Sequence, residues 1–263
     1  MSSLIAAAWR YRSFIASSIA NDFRSRLARS KLGTVWIVLQ PLAQALMFAV
    51  VLSNVLAAKL PGVENHFAFA VYLLSGLLCW SAFAEIVQRC LTVFIDNGSL
   101  LKKMQFPRIS LPLIAVGSAM VTNVALLAVI MGLVPILGVS LTPALVWLPL
   151  LLLINIALAT GIGLLLGTLN VFARDIGQIM AVVMQFLFWM TPIAYPAQVV
   201  PERFQTILKY NPVAALATGY HDIFLYGRAP QTSLVYPAML ALVALGLSFF
   251  VFRRASAEMV DAL

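Results

Sequence analysis

Six long apolar stretches divide this chain of 263 residues, and they constrain its fold more than any other feature. The hydrocarbon core of a bilayer is roughly 30 Å thick, so a helix needs about 20 apolar residues to cross it. The stretches, numbered here as spans one to six, are residues 33–58, 67–94, 111–137, 144–168, 176–195 and 234–252. They predict an all-α polytopic membrane protein with six transmembrane helices, forming a single transmembrane domain over residues 1–263.

The composition supports this prediction. Hydrophobic residues make up 62% of the chain and charged residues 10%, against about 25% charged residues in soluble domains. The net charge of +8 does not indicate nucleic-acid binding, because the sequence has no soluble basic face and no recognition module. Cys79 and Cys90 lie in one predicted span, which favours neither a disulfide framework nor a zinc site. We expect both to be buried as small apolar side chains.

The Lys and Arg residues predict the orientation. Twelve of the 17 fall on one side of the predicted spans. Six lie in residues 1–32, and the others are Lys102, Lys103, Arg108, Arg174, Arg253 and Arg254. The positive-inside rule therefore predicts a cytoplasmic segment over residues 1–32, a membrane region over 33–252 and a cytoplasmic tail over 253–263. The chain is expected to cross its membrane several times, with both termini in the cytoplasm.

Two segments outside the spans have unusual patterns. Apolar residues recur at helical spacing near the N-terminus, which predicts an amphipathic helix in the headgroup layer rather than an unstructured basic tail. They are Leu4, Ala8, Tyr11, Ile15, Ile19 and Phe23. Residues 196–233, on the outer side, contain short apolar pieces at 204–208 and 213–217. Neither piece can span a bilayer, so we expect a re-entrant helical hairpin before the last span, with a solvated loop as the alternative.

Glutamines form stripes in two of the spans. Gln40 and Gln44 lie one turn apart in span one, and Gln178, Gln185 and Trp189 share a face of span five. Amides facing lipid would be costly, so these faces are predicted to point toward protein or a water-filled passage.

Aromatic residues crowd the outer half of span five at Phe186, Phe188, Trp189 and Tyr195. An interfacial aromatic belt explains Tyr195 well. A wall on which sugars stack explains Trp189, beside Gln185, better. Both interpretations stay open at this point.

Glu85 and Arg89 are the ionisable pair within span two, four residues apart and hence on one helical face. A mutual salt bridge is the simpler interpretation, because an unpaired charge in the apolar region is costly. The alternative is a link to a cytoplasmic partner. One such pair gives little support for a proton relay, which argues against ion-coupled transport.

Motifs for catalysis and for nucleotide binding are absent from the sequence. It has no Gly-x-Ser-x-Gly, no His-Glu-x-x-His, no Cys-x-x-Cys and no Gly-x-x-x-x-Gly-Lys-[Ser/Thr]. We therefore expect no catalytic residues and no metal site. Gly163 and Gly167 form a small-x-x-x-small pair in span four, which predicts close helix packing.

Five segments, in order along the chain, resemble the type-2 ABC transporter permeases, and in particular the branch that exports O-antigen, capsule and teichoic-acid polymers. They are Leu-Gly-Thr-Val-Trp-Ile-Val-Leu-Gln-Pro-Leu (32–42), Lys-Lys-Met-Gln-Phe-Pro-Arg-Ile-Ser-Leu-Pro-Leu (102–113), Leu-Asn-Val-Phe-Ala-Arg-Asp-Ile (169–176), Phe-Trp-Met-Thr-Pro-Ile-Ala-Tyr (188–195) and Tyr-Asn-Pro-Val (210–213). The sequence departs from that family at Thr191, where Ser is commoner, and at His221-Asp222, where an Arg is often found.

The resemblance implies a transport subunit, not an enzyme, that pairs as a homodimer and works with two copies of a separate ATPase. ATP and Mg²⁺ would bind that partner, so no cofactor is expected on this chain. The resemblance implies a place in a bacterial inner membrane, in contact with membrane lipid. The substrate would be a lipid-linked polysaccharide such as an O-antigen or a capsule polymer. The implied conduit residues are Gln40, Gln44, Gln185, Phe188, Trp189 and Tyr195. The implied residues for coupling to the ATPase are Asn97, Lys102, Lys103, Phe106, Arg108, Arg174 and Asp175.

Two alternatives remain. A drug or lipid exporter of the same superfamily would have a more apolar conduit. A membrane-embedded transferase acting on polyprenyl lipids is disfavoured because the sequence lacks clustered acids or histidines.

Overall fold

The structure is a computed structural model, and it describes residues 9–28, 35, 39, 42, 43, 47, 67–103, 107–256, 258 and 259. Within these residues the chain forms helices and turns without β-strands. The α-helices are α1 (Arg12–Ala28), α2 (Ala68–Asp96), α3 (Gly98–Lys103), α4 (Ser110–Ile136), α5 (Leu148–Phe172), α6 (Asp175–Trp189), α7 (Glu202–Tyr210), α8 (Pro212–Phe224) and α9 (Val235–Ala255). Short 3₁₀ helices cover Pro143–Trp147 and Ala197–Val199.

Four helices in the described part of the chain are long and apolar enough to cross a membrane. They are α2, α4, α9 and the continuous helical segment Pro143–Phe172, which includes α5. Spans two, three, four and six of the sequence analysis coincide with these helices to within a few residues. The chain is therefore a multi-pass membrane protein. Span one falls almost entirely outside the described residues, so the total of six spans stays a prediction.

Helix α6 is shorter than the stretch predicted for span five. The sequence favours 176–195, whereas the helix ends at Trp189 after 15 residues. Pro192 explains the difference, because a proline lacks the backbone N–H that a continuing helix needs and restricts the residue before it. Apolar composition alone extends through this proline and overestimates the helix.

Helix α2 lies at the centre of the bundle and packs against α4, α5 and α8. Helix α5 lies between α2 and α9. Gly163 and Gly167 permit the close contact of α5 with α2. A Cβ added at Gly163 would lie 2.8 Å from the Cβ of Cys90, and one at Gly167 would overlap the carbonyl oxygen of Cys90. The close packing predicted from the small-x-x-x-small pair is confirmed.

Buried asparagines join these helices through hydrogen bonds that the sequence analysis did not identify. The Nδ2 of Asn155 on α5 donates to the carbonyl oxygen of Cys79 at 2.9 Å. The Nδ2 of Asn123 on α4 donates to the carbonyl oxygen of Leu78 at 3.3 Å. Each bond joins a neighbour to the backbone of α2, and inter-helix amide bonds of this kind stabilise membrane bundles by about 0.6 kcal/mol on average.

Helix α1 packs against α4. A Cβ added at Gly117 of α4 would overlap Ile19, so this glycine permits the close contact. The apolar residues that the sequence places on one stripe are half-buried at Tyr11, Ile15, Ile19 and Phe23. The structure shows a helix here, whereas its amphipathic character and its position in the headgroup layer stay predictions. Leu4 and Ala8 lie outside the described residues.

Residues 196–233 form α7 and α8 and the segments around them. Helix α8 packs against α2, α5, α7 and α9, and all but two of its 13 residues are buried. The Oδ1 of Asn211 caps the helix by accepting from the backbone N–H of Val213 at 3.0 Å and of Ala214 at 3.3 Å. Pro212 occupies the first helical position, where its missing N–H costs nothing. The burial of α8 disfavours a fully solvated loop, and re-entry into the bilayer stays a prediction.

Candidate functional site

The helix ends divide into two groups at opposite ends of the bundle. At one end, the ring of Phe94 on α2 stacks on that of Phe252 on α9, with centroids 5.6 Å apart. The same end holds the C-terminus of α5, because a Cβ at Gly167 would meet the backbone of Cys90 and Leu91. We call this the basic end, because Lys102, Arg108, Arg174, Arg253 and Arg254 lie at or just beyond its helix ends. The other end, with α7 and α8, is called the opposite end.

Helix α6 presents a polar and aromatic face. Gln178, Gln185 and Trp189 are all exposed, and 54% of Trp189 is accessible. No residue of α6 is buried among the described residues. This face also carries apolar side chains, including Val182 and Phe186. The predicted partners of this face in span one, Gln40 and Gln44, lie outside the described residues.

Two of the other predicted conduit residues contact the protein itself. The ring of Phe188 lies edge-on to that of Trp80 on α2, with centroids 5.4 Å apart. The hydroxyl of Tyr195 donates to the carbonyl oxygen of Trp189 at 2.6 Å, across the turn that follows α6. These contacts fix the position of the α6 terminus. Contact of either ring with a substrate stays a prediction.

The start of α6 is held by Asn170, which is buried at the end of α5. Its Nδ2 donates to the carbonyl oxygen of Leu91 on α2 at 3.0 Å. Its Oδ1 accepts from the backbone N–H of Gly177 at 3.0 Å. The same N–H lies 3.3 Å from the carbonyl oxygen of Arg174, so Asn170 supplies the shorter of its two contacts in the first turn of α6, where N–H groups lack the usual helical partners. One side chain thus joins α5, α2 and α6.

The far end of α6 is held by Asn211 and Tyr72. The Nδ2 of Asn211 donates to the hydroxyl oxygen of Thr191 at 3.0 Å, and that hydroxyl donates to the carbonyl oxygen of Leu187 at 2.7 Å. The hydroxyl of Tyr72 lies 3.0 Å and 2.8 Å from the carbonyl oxygens of Pro192 and Tyr195. Thr191 therefore makes the hydrogen bonds that a Ser hydroxyl would make at the same position.

Asn170, Thr191 and Asn211 all fall within the segments that resemble the type-2 ABC permeases, but their role in positioning α6 was not predicted. The available sequence signal for these roles was an asparagine close to an apolar run. A single sequence does not show whether such an asparagine is buried or caps a helix, so the contacts that position α6 could not be deduced.

The predicted coupling residues lie at the basic end. Asn97 follows α2, and its Nδ2 donates to the carbonyl oxygen of Val93 at 2.8 Å. Lys102 is exposed on α3, and Arg174 and Asp175 are exposed at the junction of α5 and α6. Arg108 is half-exposed in the turn before α4. The side chain of Lys103 and all of Phe106 lie outside the described residues. A role in coupling stays a prediction for all of them.

Arg89 joins two carboxylates near the basic end. Its Nη2 lies 2.6 Å from the Oε1 of Glu85, one turn earlier on α2. Its Nη1 lies 3.3 Å from the Oδ2 of Asp22 on α1. The guanidinium thus forms an ion pair within α2 and also ties the N-terminal helix to it. The contact with Asp22 was not expected from the sequence, because the two residues are 67 positions apart.

At the opposite end, His221 and Asp222 lie side by side on α8. The ring of His221 stacks on that of Tyr72, with centroids 3.7 Å apart. Asp222 is buried, and its Oδ1 lies 2.7 Å from the Nη2 of Arg228. Its Oδ2 accepts from the backbone N–H of Gln231 at 3.0 Å. Asp222 therefore holds the segment after α8 against the helix.

Cys79 and Cys90 are buried free thiols, as the sequence predicts. Over the residues that the structure describes, no group of three or more His, Cys, Asp or Glu side chains is arranged to hold a metal ion. The exposed amide and aromatic groups of α6 fit non-covalent contact with a polar ligand.

Comparison with known proteins agrees with this architecture. The chain is 31% identical over 235 residues to the O-antigen export system permease protein RfbA of Klebsiella pneumoniae, covering 87% of each chain. It is 25% identical to RfbA of Myxococcus xanthus, covering 99% of each. It is 23% identical to the polysialic acid transport protein KpsM of Escherichia coli, covering 92% of this chain and 93% of KpsM. The model of the ABC-2 type transporter family matches residues 14–225 of the chain. The chain therefore belongs to the ABC-2 type transporter family.

Proposed function

We propose that the chain is the permease subunit of an ATP-driven exporter that moves a lipid-linked, O-antigen-like polysaccharide from the cytoplasm to the periplasm. The exposed face of α6 carries the proposal, because amides and an aromatic ring on a membrane helix suit a hydrated sugar polymer. Gln185 donates and accepts hydrogen bonds with hydroxyl groups, and the indole of Trp189 offers an apolar face to a sugar ring. The relatives named as exporters of O-antigen and transporters of polysialic acid support the same class of substrate.

The proposed topology has six spans, with both termini in the cytoplasm of a bacterial inner membrane. The basic end supports this orientation, because the positive-inside rule places Lys- and Arg-rich segments in the cytoplasm. Residues 33–58 would supply span one, and α6 would supply span five. Helices α7 and α8 would form the re-entrant hairpin, supported by the burial of α8 among the spans. Neighbouring helices can then satisfy backbone groups that lipid cannot.

The proposed assembly is a homodimer with two copies of an ATPase, which bind ATP and Mg²⁺. The exposed faces of α6 from the two permease subunits would line one conduit together with Gln40 and Gln44. Contact with the ATPase would fall on α3, the turn at Arg108 and the junction at Arg174 and Asp175. Asn170 supports this route, because it links the end of α5 to both α2 and α6. A push on that junction would move α6.

Replacing Gln185 and Trp189 together by Ala tests the proposal. A neutral hydrogen bond and an aromatic contact each contribute about 0.5–1.5 kcal/mol, so transport should fall roughly tenfold. The assay is surface polymer per cell, alongside the ATPase activity of the purified complex. Gln231→Ala with Trp147→Ala is the matched control, since both residues are exposed outside α6. Export at the wild-type level by a well-inserted double variant would refute the role of this face.

A further inference from the structure

A cavity of about 420 Å³ lies between α1, the C-terminal half of α2, α3 and the start of α4. Its volume falls within the range of small-ligand sites. It opens near the basic end, beside the ion pairs of Arg89. Apolar side chains form much of its wall, including Phe14, Leu100, Leu111 and Ile114. None of these residues belongs to the conduit face. Leu100 lies on α3, so the cavity adjoins the proposed ATPase contacts.

A buried hydroxyl in the wall indicates that a ligand or water occupies this space. Ser118 is 3% exposed and lines the cavity. Its Oγ has no hydrogen-bond partner in the described part of the chain. Buried side-chain hydroxyls nearly always have a partner, since leaving one unpaired is costly. The hydroxyl therefore calls for a polar group inside the cavity.

The charges of the cavity favour a ligand with both a cationic and an anionic group. Asp22, Asp96 and Arg89 line it. Asp22 and Arg89 are already paired, whereas the carboxylate of Asp96 makes no hydrogen bond or ion pair among the described residues. The carboxylate of Asp96 is therefore available for a cation.

Arg89 has donors left for an anion. Of its five N–H groups, three donate to Glu85 and Asp22, from Nε, Nη1 and Nη2. The remaining two can reach a phosphate oxygen. The carboxylate of Asp96 in the same wall disfavours a purely anionic ligand.

We propose that this cavity binds a phospholipid whose headgroup carries a primary ammonium, of the phosphatidylethanolamine class. The ammonium would lie beside Asp96, the phosphate beside Arg89, and Ser118 would donate to a glycerol or ester oxygen. The apolar wall would contact the start of an acyl chain, which favours a lipid over a soluble phosphoethanolamine. Since α1 forms one side of the cavity, the bound lipid would help to hold the N-terminal helix against the bundle.

The test is native mass spectrometry of the purified full-length chain with phosphatidylethanolamine, phosphatidylcholine or phosphatidylglycerol. The wild type should retain phosphatidylethanolamine about tenfold better than the other two, because hydrogen bonds to charged groups are stronger than neutral ones. Asp96→Asn should remove that preference. Glu202→Gln is the matched control, as an exposed carboxylate at the opposite end, and it should retain the lipid like wild type.

Two further measurements complete the test. Ser118→Leu fills the cavity and should abolish retention of the lipid. Because Asp96 is exposed, Asp96→Asn tests the site without disturbing core packing. Soluble phosphoethanolamine at millimolar concentration should neither bind nor displace the lipid. Equal retention of the three lipids, undiminished retention by Asp96→Asn, or binding of the soluble headgroup alone would each overturn the proposal. The second outcome would leave water as the partner of Ser118.

Discussion

Replacing Asn170 by Leu should detach the start of α6 from the bundle. Leucine has the same number and branching of side-chain heavy atoms, so the change removes two hydrogen bonds while keeping the shape of the side chain. Asn170 donates to the carbonyl oxygen of Leu91 and accepts from the N–H of Gly177, each at 3.0 Å. Two inter-helix bonds contribute about 1–3 kcal/mol in total. The loss corresponds to a roughly 5- to 150-fold rise in local opening of the junction between α5 and α6.

Cys90 provides a local assay of that opening. It is a buried free thiol next to Gly167, three residues before Asn170. When opening is fast compared with labelling, the rate of alkylation by a membrane-permeant maleimide follows the population of the open state. The rate at Cys90 should therefore rise about 5- to 150-fold, while the rate at Cys79 stays unchanged. Cys79 is an internal reference because its contact with Asn155 is intact.

Thr168→Val is the matched control for this variant. Thr168 is buried two residues before Asn170, and its hydroxyl donates only to the carbonyl oxygen of Leu164 within its own helix, at 2.8 Å. Its replacement should leave the labelling of Cys90 near the wild-type rate. If Asn170→Leu labels as slowly as Thr168→Val, then Asn170 does not hold α6, and the link from the coupling surface to the conduit is wrong.

Two other predictions concern the coupling surface and the packing of α5. Replacing Lys102, Lys103 and Arg108 together by Glu should reduce co-purification of the ATPase several-fold. The control variant, Arg203→Glu with Lys209→Glu at the opposite end, should co-purify with the ATPase like wild type. If the triple variant still binds the ATPase, the contact lies elsewhere. Gly167→Val should lower the yield of inserted protein and the melting temperature of that protein, because the valine side chain would overlap the backbone of Cys90. A Cβ at Gly132 on α4 meets no atom within 4 Å, so Gly132→Val should behave like wild type. Equal behaviour of the two valine variants would contradict the packing argument.

Much of the fold can be predicted from the sequence because few backbone structures can cross a bilayer. Apolar length alone gives α2, α4, α5 and α9, and the small residues of α5 correctly indicate its tightest contact. The end of α6 is less predictable, since its sequence stays apolar through Pro192 and local backbone chemistry decides where the helix stops.

The candidate site is less predictable for a different reason. A stripe such as Gln178, Gln185 and Trp189 follows from helical periodicity, and the structure places all three on the exposed surface of α6. Contacts between distant segments do not follow from periodicity. Asp22 reaches Arg89 from 67 positions away, and Asn211 reaches Thr191 across a turn and two helices. Such pairs depend on tertiary packing, which no local pattern encodes.

The proposed conduit places the Gln185 face of α6 against a water-filled route shared by two permease subunits. Thiol accessibility at Gln185→Cys in membranes, with Cys79 and Cys90 replaced by Ala, measures whether water reaches this face. Phe250→Cys on α9 is the lipid-facing reference, with 64% of Phe250 exposed. A charged, water-soluble thiol reagent should modify position 185 but not position 250, and substrate polymer should slow the modification. If neither position reacts with that reagent and both react only with a lipid-soluble one, the assignment of this face to the conduit is wrong.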